Sequence, residues 1–163
     1  MSDDAKKQAR GDFTIRPARL DELSALATLV AAQELLQRYE ITSTRLAQLL
    51  AEAIGRGEPV LVADDGSGAR GFAWYQRAGT LGVGGYLRLI ALGPGGVGQG
   101  AGGALLDAVE ADVAQHSRHM FLLCSHWNDG ARRFYARRGY AEVGTLPGLI
   151  RADSDEIICW KRL

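Results

Sequence analysis

Eleven of the chain's 21 glycines crowd between Gly79 and Gly103, and their spacing is the first feature that could do chemistry. From Gly95 to Gly103 nearly every second position lacks a side chain, which leaves backbone N–H groups open where a helix begins near Gly100. The head of a helix carries unsatisfied donors and the positive end of its dipole, so the ligand suited to it is an anion, and a pyrophosphate would fit. Gly98, Gly100 and Gly103 also spell G-x-G-x-x-G. In a dinucleotide-binding fold, however, those glycines follow the first strand almost at once, whereas here Gly93 and Pro94 intervene after roughly half the chain. A Walker A loop needs Lys followed by Ser or Thr, and the only lysines are Lys6, Lys7 and Lys161, which excludes it. The plainer alternative is a flexible glycine loop.

The elements that must position this loop can be read around it. Tyr86 to Leu92 is apolar on both alternating faces, which predicts a central strand buried on both sides. Leu105, Leu106, Val109 and Val113 recur at helical spacing after the loop, giving a helix to about Gln115. Before it come a short strand over Phe13 to Arg16 and a helix carrying Leu20, Leu23, Leu26, Ala27 and Val30, fading near Gln33 to Glu40. A second helix with Leu46, Leu49, Leu50 and Ala53 follows, capped by Thr42 or Ser43 and ending at Gly55. Strands over Pro59 to Ala63 and Gly71 to Arg77 form a hairpin that Gly79 to Gly85 joins to the central strand. Beyond the loop helix lie a buried strand over His119 to Ser125 and a helix over Asn128 to Arg137 stopped by Gly139. Strands over Tyr140 to Leu146 and Glu156 to Leu163 close the chain, separated by a Pro147 to Asp155 loop. Residues 1–11 read as a disordered lead and 12–163 as one domain.

Nineteen basic residues balance nineteen acidic ones, so no net field recruits nucleic acid or an anionic membrane, and phosphate affinity has to be local. No run reaches the roughly 20 apolar residues of a membrane span, and the first ten residues lack a signal-peptide core, which points to a cytoplasmic location. Cys124 and Cys159 sit in strand-like runs and read as buried free thiols. With His116, His119 and His126 scattered, no metal is expected.

Two segments, LIALGPGGVGQGAGGALL (Leu89 to Leu106) and NDGARRFYARRGY (Asn128 to Tyr140), together resemble the GNAT superfamily of acyl-CoA N-acyltransferases. The resemblance runs from about Phe13 to the C-terminus. It implies an α/β fold with a mixed, mostly antiparallel sheet of six to seven strands flanked by about four helices. It also implies acetyl transfer from acetyl-CoA to a primary amine of a small molecule or protein, without a metal. By resemblance Val97, Gly98, Gln99, Gly100, Ala101, Gly102 and Gly103 hold the pyrophosphate, a backbone N–H among Ile90, Ala91 and Leu92 holds the thioester carbonyl, and Asn128 holds the pantetheine arm. That arm would enter a splay between the central strand and the strand ending at Ser125 to Trp127. Tyr135 matches the family's general acid. A phenol near pKa 10 stays protonated at neutral pH and can donate to a thiolate whose conjugate acid is near 8.5.

The chain departs from the pattern at Val97, where the family usually has Arg or Gln, and no acid stands on the central strand, which offers Arg88 instead. Glu34, Glu40, Asp155, Glu156 and His126 are the alternatives for a base, each also readable as a solvated surface group. Arg132, Arg133, Arg137 and Arg138 could meet a ribose phosphate or form a solvated helix face. Trp74 and Tyr75 could line the acceptor side or pack in the core. The expected partners are acetyl-CoA and an amine acceptor, without nucleic acid or membrane, and a homodimer stays open. Two other functions also stay open: a non-catalytic CoA-binding or regulatory module, and a dinucleotide-binding enzyme.

Overall fold

The computed structural model describes residues 12–163, so the lead over 1–11 lies outside the described residues. In chain order the elements are β1 (Thr14–Pro17), a 3-10 turn (Leu20–Glu22), α1 (Leu23–Val30), α2 (Glu34–Arg38), α3 (Ser43–Gly55), β2 (Val60–Asp64), β3 (Ala69–Thr80) and β4 (Gly84–Leu92). They continue with α4 (Ala101–Val113), β5 (His119–Ser125), α5 (Asp129–Arg137), β6 (Ala141–Arg151) and β7 (Ser154–Arg162). The seven strands form one sheet in the order β1-β2-β3-β4-β5-β7-β6. β1 on β2, β2 on β3, β5 on β7 and β6 on β7 are antiparallel, and β4 on β5 is parallel. The fold is therefore the mixed, mostly antiparallel α/β class read from the sequence, with five helices among the described residues where about four were expected. The addition is α2, a five-residue helix too short to show an apolar stripe, in the segment where the first helix pattern fades.

The chain divides into two compact units. One holds the described residues up to Tyr75 together with Leu89–Val109, and the other holds Gln76–Arg88 and Glu110–Leu163. In the first, Leu23, Leu26, Ala27 and Val30 place a buried stripe on α1, and Leu46, Leu50 and Ala53 do the same on α3. Thr42 caps α3 by accepting from the Arg45 amide at 3.1 Å. These stripes pack with Val60, Val62, Phe72, Trp74 and Ala91 into one core cluster, each fully buried Leu, Val or Phe contributing about 1.5–3 kcal/mol. Trp74 and Tyr75 are both buried, which answers their two sequence readings in favour of the core; the Trp74 indole donates to Glu58 at 2.6 Å. Gly71 is required because a Cβ there would stand 2.5 Å from the Ala91 carbonyl oxygen.

In the second unit β5 and β7 run in unbroken register from His119↔Arg162 to Ser125↔Glu156. The loop expected over Pro147 to Asp155 is instead mostly strand. β6 continues to Arg151, and β7 restarts at Ser154 after a two-residue turn. Proline is tolerated there because β6 is the last strand of the sheet and its register shifts between Leu146 and Arg151. Cys124 and Cys159 are buried free thiols. Tyr140 and Lys161 both donate to the Glu110 carboxylate, at 3.0 and 2.6 Å, tying α4 to the sheet within this unit.

Arg16 joins the first elements by pairing with Glu22 at 2.6 Å and Asp64 at 3.1 Å. The guanidinium holds the Glu22 carboxyl below its ordinary range, and the Gly66 amide followed by Arg16 does the same for Asp64. Both folded-state values are depressed, so this stabilisation is complete above the unfolded carboxylate range near pH 4 and is lost as pH falls through the folded values. Glu22→Gln should therefore cost about 1–3 kcal/mol at neutral pH and flatten the loss of stability on acidification, as read by urea unfolding at a series of pH values.

Candidate functional site

Within the first unit, β4 ends on a backbone that close packing leaves no room to decorate. The Gly93 amide donates to the Arg70 carbonyl at 2.9 Å. A Cβ on Gly93 would strike the Leu29 side chain, and one on Gly96 would strike the Arg70 carbonyl. Gln33 Nε2 donates to the Leu92 carbonyl at 2.8 Å and fixes the strand end. Beyond that anchor the chain turns through Pro94 to Gly100 into α4, with Gly95, Gly98 and Gly100 at φ of 82°, 73° and 97°, values that glycine adopts without strain.

The loop's internal hydrogen bonds are few: Gly96 N to Gly93 O at 3.1 Å, Gln99 N to Gly96 O at 3.3 Å, and Ala104 N to Gly100 O at 3.0 Å. Among the described residues, the amides of Val97, Gly98, Gly100, Ala101 and Gly102 find no backbone acceptor. Five open donors at the head of a 13-residue helix have the geometry that suits an anion, because a dipole and N–H groups there would act on the same ligand. Ala101 is buried and roots the helix, while the Val97 side chain, 64% exposed, adds no donor. Sequence reasoning missed Arg70, whose side chain lies beside Gly95, 3.4 Å from where a Cβ would stand, and pairs with Asp65 at 2.6 Å. It is 25 positions away in the chain, and no local signal points to it.

The second unit holds the other expected residues. Asn128 Oδ1 accepts from the Ala131 amide at 3.1 Å and caps α5, leaving its NH2 group available for another partner. Tyr135 stands edge-on to Phe134 and Tyr140. Burial, reinforced by Cys124, Cys159 and Tyr86, pushes its phenol above the ordinary tyrosine value. Burial likewise pushes the Cys124 thiol up to about 12 and Cys159 to about 11, so neither supplies a thiolate at neutral pH. Arg132 is committed to Glu142 at 2.8 Å and to the His126 carbonyl at 3.1 Å, while Arg133 and Arg137 are exposed on the helix.

The candidate bases separate clearly. Glu34 and Glu40 are exposed, Glu34 pairing with Arg38 at 2.7 Å. His126 is exposed and accepts from the Asp155 amide at 3.2 Å, and Asp155 is half-buried, accepting from the Gly148 amide. Glu156 contradicts the solvated reading. It is 2% exposed, and Ser125 Oγ donates to its two oxygens at 3.1 and 3.3 Å. Its burial comes from the β5–β7 register, which places Ser125 opposite it.

With this geometry in hand, the model of the acetyltransferase (GNAT) family matches residues 25–140. The chain belongs to that family. No curated protein matches it. Solved structures share the GNAT fold at low identity. Ard1 from Thermoplasma volcanium is 22% identical with a TM-score of 0.72, covering 93% of this chain and 97% of its own. A ribosomal-protein-alanine N-acetyltransferase from Brucella melitensis is 20% identical with a TM-score of 0.71, covering 92% and 99%. The Salmonella typhimurium protein yncA, solved with its cofactor acetyl-CoA, is 15% identical with a TM-score of 0.70, covering 93% and 94%. The GNAT match takes in the glycine loop, Asn128 and Tyr135 and stops short of Glu156.

The packing of the loop gives a direct check. Gly96→Ala drives a methyl into the Arg70 carbonyl, whereas a Cβ on Gly98 meets nothing within 4 Å and suffers only from its φ of 73°. Urea unfolding should show a loss of about 2 kcal/mol or more for Gly96→Ala and about 1 kcal/mol for Gly98→Ala.

Proposed function

We propose that the chain transfers an acetyl group from acetyl-CoA directly to a primary amine, with Tyr135 as the proton donor to the departing thiolate. The observation that carries this reading is the set of five open amides at the head of α4, which suits a pyrophosphate. Family membership supports the acetyl transfer, and the fold shared with yncA supports acetyl-CoA as the donor. In the loop Val97, Gly98, Gln99, Gly100, Ala101, Gly102 and Gly103, the open amides of Val97, Gly98, Gly100, Ala101 and Gly102 cradle the phosphates. A strand amide among Ile90, Ala91 and Leu92 polarises the thioester carbonyl, and the free NH2 of Asn128 holds the pantetheine arm.

The cysteines support direct transfer. An acetyl-enzyme needs a nucleophile that is ionised or beside a base, and both thiols are held protonated by burial. Tyr135 keeps its proton through neutral and alkaline pH, because burial opposes the phenolate. The same burial makes transfer to a thiolate near pKa 8.5 uphill, so the proton passes only as charge develops on sulfur and has to be replaced at the phenol within the same turnover. A CoA-binding module without catalysis is the second reading, favoured by the apolar, exposed Val97 in the cradle.

Thiol release from acetyl-CoA across an amine panel separates the two. Tyr135→Phe should lower turnover by about 100-fold while calorimetric affinity for acetyl-CoA and the melting temperature change little, and the loss should shrink at alkaline pH, where the thiolate departs more readily unassisted. Unchanged turnover would make Tyr135 a packing residue. Val97→Arg should tighten acetyl-CoA binding by about tenfold in the same calorimetry, through a charge-assisted contact to phosphate; weaker binding would count against the cradle.

A further inference from the structure

The carboxylate missing from the central strand has a counterpart on β7. Alternation along the strands places Tyr86 and Arg88 of β4, Phe121, Leu123 and Ser125 of β5, and Glu156 and Ser154 of β7 on one face of the second unit, because Tyr86 registers with Phe121 and Ser125 with Glu156. Arg88 sits 6.0 Å from the centre of the Tyr86 ring on that face. Cys124 and Cys159 belong to the opposite face.

Two observations on the Glu156 face point to a ligand. Glu156 is a buried carboxylate, oriented by Ser125 Oγ at 3.1 and 3.3 Å. Two residues along the same strand face, Ser154 is 6% exposed and its hydroxyl is the one buried side-chain oxygen or nitrogen without a hydrogen-bond partner among the described residues. A buried hydroxyl left unsatisfied costs about 1–3 kcal/mol, and an arriving donor recovers that cost. A carboxylate only accepts and a hydroxyl can accept, so the ligand they suit is a group rich in N–H donors and positively charged, which is a primary ammonium.

We infer that Glu156, oriented by Ser125 and joined by the Ser154 hydroxyl, seats the acceptor's ammonium group and takes its proton. The assignment rests on the acetyl-transfer reading above. Glu156 receives one proton from R–NH3+, and the neutral amine's lone pair forms the C–N bond to the thioester carbon. The C–S bond then breaks, its electron pair leaves on sulfur and is met by the Tyr135 proton. The second proton lost from nitrogen restores the phenol through solvent, and Glu156 releases its proton, so each turnover yields the amide, CoA thiol and one proton.

The test compares acceptors that differ in charge. Hydroxylamine is neutral at neutral pH and needs no proton removed before attack, whereas spermidine, tyramine and an alanyl peptide carry ammonium groups. Thiol release from acetyl-CoA is measured for wild type and Glu156→Gln with each. The ratio of amine turnover to hydroxylamine turnover should fall about 100-fold in Glu156→Gln, with acetyl-CoA affinity by calorimetry retained as the check on folding. Ser154→Ala should raise KM for the accepted amine about fivefold without lowering the melting temperature, a split that a purely structural serine would not give. Wild type that releases no thiol with any acceptor sinks the acetyl-transfer reading itself. Wild-type activity with an unchanged ratio in Glu156→Gln, equal loss with both acceptor types, lost acetyl-CoA binding, or turnover of hydroxylamine alone overturns the role of Glu156 and leaves that reading standing.

Discussion

The constraint on which the first unit depends is the contact between the end of β4 and Arg70. The Gly93 amide bonds the Arg70 carbonyl at 2.9 Å, and Gly96 lies so close to that carbonyl that no side chain fits. This holds the loop down without using up its donors. Had the turn closed by satisfying its own amides, α4 would begin with nothing to offer an anion; because glycine at positive φ carries the chain into the helix, five N–H groups stay open. Packing at Gly93 and Gly96 thus leaves the next residues of the same loop with their donors open.

The second unit solves a different problem, placing polar chemistry inside a dry sheet. β5 and β7 bury two thiols, one carboxylate and two serine hydroxyls in addition to their apolar residues. Burial keeps the two thiols of one face protonated and raises the Tyr135 phenol. On the other, Ser125 gives Glu156 a hydrogen bond at a depth where an isolated carboxylate would be costly.

What could be read from the sequence was what is written locally. The glycine run, the apolar strand before it and the stripe of Leu105, Leu106 and Val109 lie within about twenty residues, as do the Asn128 cap and the Gly139 stop, and each forms the element its pattern implied. What could not be read depends on pairing across the chain. Glu156 looks like any surface acid until the register brings Ser125, 31 positions away, against it. Pro147 reads as a loop because proline is excluded from central strands, and only the strand order reveals that β6 lies at the margin. Arg70 gains its place beside Gly95 from the packing of β3 on the loop.

The bow in β6 carries a consequence for how the molecule meets its neighbours. Pro147 to Ile150 face a single residue of β7, Asp155, and the outer strand also carries exposed Leu149 and Ile150. A straight margin with those side chains would invite another chain to zip onto it, backbone to backbone. Proline has no amide to lend and the bulge spoils the repeat, so the ladder cannot propagate outward. The exposed side chains of this margin are thereby set apart from a regular backbone ladder.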